Sequence, residues 1–489
     1  MDIEKIIRTI SPAWALRRAQ NNKKIEISEA WQGSSKRRIE FDGFNPSTND
    51  LNYDIFNELG TIRERCCDLE RNNCIAAGIV NTKVTSIIGS GLKIKPVIDD
   101  SKVNISEYSQ RIEDEFELWA GDKFECDGFS QSNFYEIEEC VLRSILVKGD
   151  IFYKFSYFKN PGCRYSFKVY IIEPERVSNP NNQMDNDYLH SGIKYDKKTG
   201  SAIGFYYSTG TNVKTWKFQP FISRSGRVLA RHVMFRKTSS QSRGISDLAT
   251  IITMLKQLGD FTEAYLHKAV VSAILSVFVK TEDGMGMQGL SSSSESSPVT
   301  SRYKLGSGTV IQGTTDESVE VIESKTPSDT FDPFVLSILR QIGMAVELPF
   351  ELLIKHFTSS YTAAQGAFLE AWRMFRRRRE FLAKELCAPV YAGWFESCII
   401  DGHLPFEEFL YADKLTKSYY LGHECSGDPQ GHIDPLKANK ADEIAEDREW
   451  TTASYNARMR GQDWSKVVIR KSQEQKFKNE KGIVDEKIT

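Results

Sequence analysis

The longest helical pattern of the chain lies in its last third and limits the possible folds more than any other feature. Apolar residues recur at helical spacing from Thr362 to Leu386 and resume at Val390, directly after Pro389. A proline inside a helix removes one backbone hydrogen bond, so Pro389 predicts a kink rather than an end. A helix continuing to Ile400 would be roughly 55–60 Å long at about 1.5 Å per residue.

The period of the apolar residues changes twice before that helix. Helical spacing, with a break at Asn72-Asn73, gives way to alternation near Ile151, and helical spacing returns at Leu248. The chain therefore predicts helices, then an antiparallel β region, then helices again. The first helices are expected at 59–88, 106–120 and 132–148, and the strands at 151–158, 165–172, 202–207 and 228–235.

A small β insert is expected between two further helices. The first helix passes from Leu248 into a β-branched strand that ends at Val279, and the second begins with Asp332 as its N-cap and Pro333 at its first helical position. Between them, residues 281–302 are rich in serine and predict a flexible loop. Two short strands are expected at 303–312 and 318–323, and a polar helical tail after residue 436.

The charge balance limits what the chain can bind. It has 489 residues, with 64 Lys+Arg and 66 Asp+Glu, so its net charge is −2. Tight binding of duplex DNA needs an excess of basic residues to neutralise phosphates, which excludes a DNA-gripping surface over the whole molecule. No apolar stretch approaches the ~18 residues of a membrane span. The nine cysteines are scattered and odd in number, and they predict reduced thiols in a cytosolic compartment.

Motifs for catalysis or metal binding are missing from the sequence. It has neither G-x-S-x-G nor H-E-x-x-H. The Gly-Ser-Gly segment at 89–91 lacks the Lys-Ser/Thr of a phosphate loop and predicts a tight turn. His423, Cys425 and His432 match no standard zinc spacing, and Asp150 is a carboxylate without an identified partner. We therefore predict no catalytic residue, no metal and no cofactor.

Five blocks of sequence, in the correct order, resemble lambda-family phage portal proteins. One of them joins an arginine-rich helix with an R-N-N turn to a later G-x-G-[IL] turn. Together the blocks cover nearly the whole chain. They are SPAWALRRA (11–19), LGTIRERCCDLERNNCIAAGIVNTKVTSIIGSGLKIKP (59–96), GISDLATIITMLKQLGDF (244–261), LPFELL with SSYTAAQGAFLEAWRMFRRRREFLAKELCAPVYAGWFE (348–396), and GHIDPLKANKADEI (431–444).

The resemblance implies an α+β fold. This portal fold has a β-rich wing, two stem helices that flank a small β-containing clip, and a long kinked spine helix that leads to a helical crown. The implied segments are an N-terminal arm (1–50), the wing (51–247), stem helix 1 (248–270), the clip (271–326), stem helix 2 (327–348), the tunnel loop region (349–362), the long wing/crown helix (363–400), and the crown with the C-terminal tail (401–489).

The resemblance also implies a tunnel loop that lines a channel. Thr358, Ser359 and Ser360 suit such a constriction, because short polar side chains carry no fixed charge that would hold a phosphate. The expected channel-lining residues are Lys355, His356, Phe357, Thr358, Ser359, Ser360 and Tyr361.

A basic cluster on the long helix has three interpretations. It could contact DNA, pair with acidic residues of a neighbouring subunit, or form a solvated helix face. Consecutive residues on a helix point in different directions, so they cannot form one patch. The residues concerned are Arg373, Arg376, Arg377, Arg378 and Arg379.

The function implied by the resemblance is structural, not enzymatic. A ring, usually of twelve copies, would sit at one capsid vertex of the virion, after assembly in the host cytoplasm, and pass double-stranded DNA with weak contact. The implied partners are other copies of the chain, the terminase large subunit, the major capsid and scaffold proteins, and head-completion and tail proteins, with no membrane. The alternative is a phage-encoded nucleic-acid enzyme, such as a metal-dependent nuclease, which would need clustered carboxylates or a metal site.

Overall fold

Helices predominate in the computed structural model, and the described residues also form four small antiparallel β-sheets. By their contacts, residues 1–55 and residues 56–489 form two units, and each is described by itself. In the first unit, residues 12–18 are helical. The structure describes residues 11–18, 20, 43–44, 46, 49–98, 102–103, 106–210, 215–273, 277–281, 317–321, 331–357, 360–429, 435–462 and 464–481.

The helices closely follow the predicted positions. The described part of the chain contains α1 Leu51–Phe56, α2 Leu59–Asn72, α3 Cys74–Ile87, α4 Ser109–Gly121, α5 Lys123–Cys126, α6 Phe134–Lys148, α7 Ile252–Ala273, α8 Phe331–Ala345, α9 Phe350–Ile354, α10 Tyr361–Leu382, α11 Ala388–Ile400, α12 Glu408–Tyr411, α13 Lys414–Tyr420, α14 Pro435–Asp447, α15 Ala453–Met459 and α16 Trp464–Glu480.

The predicted break at Asn72-Asn73 is confirmed. Asn73 has an extended backbone, and its side-chain oxygen accepts hydrogen bonds from the N–H groups of Ile75 and Ala76, both at 3.0 Å. An asparagine that satisfies the free N–H groups of a new helix is a strong N-cap. The chain therefore ends α2 and starts α3 at this residue.

Two antiparallel sheets form the β region. The first has the strand order β3-β2-β8 and the second β4-β5-β6-β7. Phe152 of the first sheet and Phe205 of the second lie 4.6 Å apart between ring centroids, inside a buried cluster that the two sheets share. The strands here are β2 Asp150–Tyr157, β3 Phe167–Ile172, β4 Leu189–His190, β5 Ile193–Tyr195, β6 Ala202–Thr209, β7 Thr215–Pro220 and β8 Ala230–Met234. All four predicted strands are present, while β4, β5 and β7 were not predicted.

The two helices around the β insert pack through aromatic rings. Phe331 of α8 stacks on Tyr265 of α7 with ring centroids 4.1 Å apart. Phe261 of α7 also lies near Phe331, with ring centroids 5.7 Å apart. The insert contributes an antiparallel pair, β9 Val277–Thr281 and β10 Glu317–Val321. The predicted loop at 281–302 and strand at 303–312 lie outside the described residues, apart from Thr281 at the end of β9.

Two predictions in this region need correction. Helix α7 continues to Ala273, so the β-branched segment that starts at Val270 is first helical and becomes a strand only at Val277. Helix α8 already includes Phe331, so Asp332 lies in the first turn and is not the N-cap. In both cases the helix includes a residue, Val270 or Asp332, whose own preference predicts a helix boundary.

Pro389 interrupts the long helix without ending it. Residues Ala383–Cys387 form a π-helical turn, in which the Ala388 N–H bonds to the Ala383 carbonyl, five residues back. Pro389 has no N–H for the Glu385 carbonyl, and the Tyr153 hydroxyl donates to that carbonyl instead, at 2.5 Å. The prediction that the helix continues past Pro389 is therefore confirmed, and the π turn before the proline was not predicted.

A strand pair that the sequence pattern did not predict joins distant parts of the chain. Strand β1, Lys93–Pro96, pairs antiparallel with β11, His423–Ser426. The predicted polar tail is helical, and α16 buries none of its side chains. Among the described helices, none combines the length and the apolar character needed to cross a lipid bilayer.

Candidate functional site

The predicted loop follows a short helix with unusual ends. Helix α9 lies between Glu347 (φ 59°) and Lys355 (φ 53°), both in left-handed backbone conformations that residues with a side chain rarely adopt. The Leu348 N–H donates to the Gly343 carbonyl at 2.9 Å, which ties the end of α8 to this turn. The left-handed conformation of Lys355 therefore sets the direction in which the loop leaves α9.

The described residues of this loop are exposed. Lys355, His356 and Ser360 are open to solvent, and Phe357 is 50% exposed although its ring stacks on Phe368 of α10 at 5.5 Å. Ser360 occupies the position before α10, and its carbonyl accepts from the Ala364 N–H at 3.0 Å. Tyr361 is the first residue of α10, and Thr358 and Ser359 lie outside the described residues.

The arginine cluster divides into inward and outward members. Arg378 stacks on Phe235 at 3.7 Å and pairs with Asp247 at 3.3 Å. Arg379 donates to the backbone carbonyls of Ile87 (2.8 Å) and Asp428 (2.9 Å), and burial lowers its pKa. These two guanidinium groups are therefore used inside the chain, where they fasten α10 to α3 and to the segment after β11.

The other members face solvent. Arg376 and Arg377 are exposed, and Arg373 is 75% exposed while it pairs with Glu370 at 3.1 Å on its own helix. The division follows from the helical geometry, since consecutive side chains point about 100° apart. Within the cluster, these three are the exposed side chains.

Asp150 forms a buried charge cluster that the sequence analysis missed. Its fully buried carboxylate pairs with Arg63 at 2.7 Å, with Arg243 at 2.7 Å and with His232 at 3.1 Å. Burial alone would raise the pKa of Asp150, but Arg243, Arg63 and His232 outweigh it and hold the pKa well below its usual range. The aspartate therefore stays charged, and it ties α2 and β8 to the start of β2.

Two glycines allow the backbone to approach Asp150. A Cβ on Gly244 would lie 2.0 Å from the Gly149 carbonyl oxygen, and Gly149 itself has a φ of 96°. The contact lets the Gly244 N–H donate to the Asp150 carboxylate at 3.0 Å. Arg243 also donates to the Val177 carbonyl at 2.9 Å. An aspartate at the start of an apolar strand, next to glycine, was the available sequence signal.

The remaining sequence predictions concern the Gly-Ser-Gly segment and possible metal ligands. The Gly-Ser-Gly segment at 89–91 forms the predicted tight turn, with φ of 63° at Gly89 and 112° at Gly91. Within the described part of the chain, no group of three or more His, Cys, Asp or Glu side chains is arranged to hold a metal ion. His432 lies outside that part.

Comparison with known proteins defines the class of protein. Residues 37–379 match the family described as "Phage portal protein, lambda family". This class consists of structural proteins of the phage virion, so the prediction that the chain is not an enzyme is confirmed by the family. The chain belongs to the lambda family of phage portal proteins, and its function is that of a phage portal.

Individual relatives agree with this membership. The chain is 22% identical to the portal protein of Escherichia phage N15 over 387 residues, 73% of each chain. It is 20% identical to portal protein B of Escherichia phage lambda over 470 residues, 90% of this chain and 88% of that one. Among solved structures, it resembles the neck of a native GTA particle computed with C12 symmetry, with a TM-score of 0.47, 13% identity, and coverage of 81% and 93% of the two chains.

Proposed function

We propose that the chain assembles into a closed ring of twelve copies at one vertex of the capsid, and that DNA passes through the centre. The observation that carries the proposal is the arrangement of α7 and α8. The two helices pack through Phe261, Tyr265 and Phe331 and lead to the β9–β10 pair on one side. On the other side, α8 continues through α9 to a loop whose described residues are exposed. A ring is built from one such contact repeated until it closes.

The segments receive roles on this proposal. Residues 51–247 would form the wing, α7 and α8 the stem, and residues 271–326 the clip. The helix through α10 and α11 would connect the wing to a crown formed by the last helices. The Asp150 charge cluster supports a rigid wing, because it joins α2 to β2 through a buried ion pair and β8 to β2 through the hydrogen bond from His232.

The partners of the ring are part of the same proposal. The clip would bind the terminase large subunit during packaging, and head-completion and tail proteins afterwards. Major capsid and scaffold proteins would contact the outside of the ring during assembly in the host cytoplasm. DNA would be held weakly, since a net charge of −2 gives little general attraction for phosphate.

The architecture is tested by negative-stain electron microscopy of the purified protein together with its mass from light scattering. End-on views of a ring with a central hole, at the mass of about a dozen copies, are the expected result. If only monomers are found, the measurement is repeated after co-expression with the phage's own scaffold and capsid proteins. Monomers under both conditions would contradict the proposed ring.

The channel role of the loop is tested by adding charge. Replacing Thr358, Ser359 and Ser360 with lysine should slow DNA packaging, because a ring of ammonium groups would bind passing phosphates, while the ring size stays the same. Packaging is measured as nuclease-protected DNA in an in vitro reaction. The matched control places one lysine at the exposed Thr199, in a β-turn of the proposed wing. Equal packaging by both variants would mean that the loop does not line the channel.

A further inference from the structure

Strand β11 lies along the long helix, side by side with its π turn. The His423 ring is 4.9 Å from the ring of Tyr391. At the other end of the strand, the Asp428 carbonyl accepts from Arg379 at 2.9 Å. Because the strand passes Tyr391 first and Arg379 last, it runs antiparallel to the helix, and Cys425 falls opposite Cys387 between these two contacts.

Both cysteines belong to one buried group. His423 and Cys425 are two residues apart on a strand, so their side chains share the face that meets the helix. Cys425 packs against the main core, of which fully buried Cys387 is part, and the two sulfurs and His423 interact. The Cys387 sulfur also lies 3.3 Å from a carboxyl oxygen of Glu138, whose other oxygen accepts from the Leu92 N–H at 2.8 Å.

The surroundings shift the pKa values of the two thiols in opposite directions. The neighbouring Cys387 thiol, and after it His423, lower the pKa of Cys425 below the ordinary thiol value, although burial opposes this. The pKa of Cys387 is raised by the contact with Cys425, by burial and by Glu138. Cys425 is also the half-exposed member. Cys425 is therefore the more acidic of the two thiols, and Cys387 stays protonated beside it.

Four other cysteines differ from this pair. Burial raises the pKa of Cys126 and of Cys398, so these stay protonated thiols. Cys66 and Cys67 are adjacent in α2, where consecutive side chains point in different directions. The sequence analysis noted Cys425 only for a zinc spacing that did not fit. The structure assigns it a different neighbour, a second cysteine from the long helix.

We propose that Cys425 and Cys387 are an oxidation site that closes into an intrachain disulfide when the protein meets a peroxide. The Cys425 thiolate attacks one oxygen of hydrogen peroxide, the O–O bond breaks, and a sulfenic acid and hydroxide form. The Cys387 sulfur then attacks the sulfenic sulfur, the S–S bond forms, and the S–O bond breaks. The Cys387 proton leaves with that oxygen as water, so two thiols and one peroxide give one disulfide and two waters.

Glu138 is a positioning residue in this step, because it holds the Cys387 thiol at 3.3 Å. The disulfide would fasten β11, and with it the C-terminal segment, to the π turn of the long helix. Closing a loop between residues 387 and 425 restricts the unfolded chain and stabilises the fold, typically by about 2–4 kcal/mol in other proteins. A virion protein is made in a reducing cell and released into oxidising surroundings, where such a bond persists.

The test treats the full-length protein with hydrogen peroxide, blocks free thiols, and maps peptides by mass spectrometry without reduction. The expected result is one linked peptide pair containing Cys387 and Cys425, with the other seven cysteines blocked as thiols. In Cys387→Ser, Cys425 should be trapped as a sulfenic acid by dimedone. The matched control Cys140→Ser, at an exposed cysteine of α6, should form the linked pair at the wild-type rate.

Two outcomes would overturn the proposal. One is wild-type protein in which Cys425 is oxidised to sulfinic acid while Cys387 remains a thiol. The other is protein in which neither residue reacts before the exposed Cys140. Both outcomes are measured on the wild-type protein, so the test of the proposal does not depend on whether a variant folds. The outcome is independent of ring formation, because the linked peptides are intrachain in monomer and ring alike.

Discussion

Glu138 is a carboxylic acid kept inside the protein without a cationic partner within hydrogen-bonding distance among the described residues. It is fully buried, and burial raises its pKa to about 8, against the opposing hydrogen bonds from Leu92 and Cys387. The folded protein therefore binds a proton here that the unfolded chain releases near pH 4.5. Its contribution to stability is fully present below the unfolded pKa and is lost as the pH rises towards 8.

Replacing Glu138 with glutamine should remove this pH dependence. The amide keeps an oxygen for the Leu92 N–H and cannot ionise, so the variant should be more stable than the wild type at pH 8, by on the order of 2 kcal/mol. The free energy of unfolding is measured in urea from pH 5 to pH 8. Glu139→Gln, on the exposed side of the same helix, is the control, and a difference that does not grow with pH would contradict the assignment.

Asp150 changes the stability of the fold with pH in the opposite direction to Glu138. Its pKa in the folded state is far below that of the unfolded chain, so its ion pairs stabilise the fold above about pH 4 and lose this effect as the pH falls through the folded pKa. His232, whose pKa burial lowers despite the nearby carboxylate, is neutral near pH 7, and its ring N–H donates a hydrogen bond to the carboxylate. The two arginines therefore supply the positive charge.

Asp150→Asn should destabilise the protein by about 3–5 kcal/mol, because Arg63 and Arg243 would stay buried without a counterion. Thermal unfolding at pH 7 measures the loss. Asp196→Asn serves as the control, since Asp196 lies at an exposed turn. A melting temperature equal to that of the wild type would show that the cluster contributes no net stability.

At the scale of elements, the π turn of the long helix is stabilised from outside the helix. Pro389 leaves the Glu385 carbonyl without its usual donor, and the hydroxyl of Tyr153, a fully buried residue of β2, replaces it. The sheet and the helix are therefore joined where the helix would otherwise carry an unsatisfied polar group. The same turn places Cys387 opposite β11.

A double-mutant cycle tests this replacement. Tyr153→Phe should cost about 1–3 kcal/mol, because the Glu385 carbonyl loses its donor at a partly buried position. In a Pro389→Ala background the new N–H can bond to that carbonyl, so Tyr153→Phe should then cost less. The free energies of unfolding of the four proteins are compared in urea. Equal costs in both backgrounds would mean that proline and tyrosine are not coupled at this carbonyl.

At the scale of the whole molecule, the arginine cluster combines two roles. Arg378 and Arg379 hold the long helix against the rest of the chain, and Arg373, Arg376 and Arg377 present charge to the outside. Surface charge that attracts a neighbouring subunit or DNA is screened by salt, whereas the buried contacts of Arg379 are not. Substitutions of the buried arginines should therefore affect stability, and substitutions of the exposed arginines should affect assembly.

Charge reversal separates the two roles. Glutamate at Arg376 and Arg377 should leave the melting temperature within about 1 °C of the wild type and change the salt dependence of ring formation, measured by light scattering. Glutamate at Arg379 should lower the melting temperature by several degrees, because three backbone carbonyls would lose their donor. Identical assembly of the Arg376/Arg377 variant at every salt concentration would assign these residues to a solvated face.

What the amino-acid sequence determined by itself is mostly local. Periodicity predicted the helices around Asn73 and four strands of the β region, and it predicted that the long helix continues past Pro389, because each signal lies within a few residues. Only the tertiary structure decided that β1 pairs with β11, that Asp150 meets Arg63 and Arg243, and that Cys387 faces Cys425. These partners are separated by dozens to hundreds of residues, and their chemistry depends on burial, which a sequence pattern does not record.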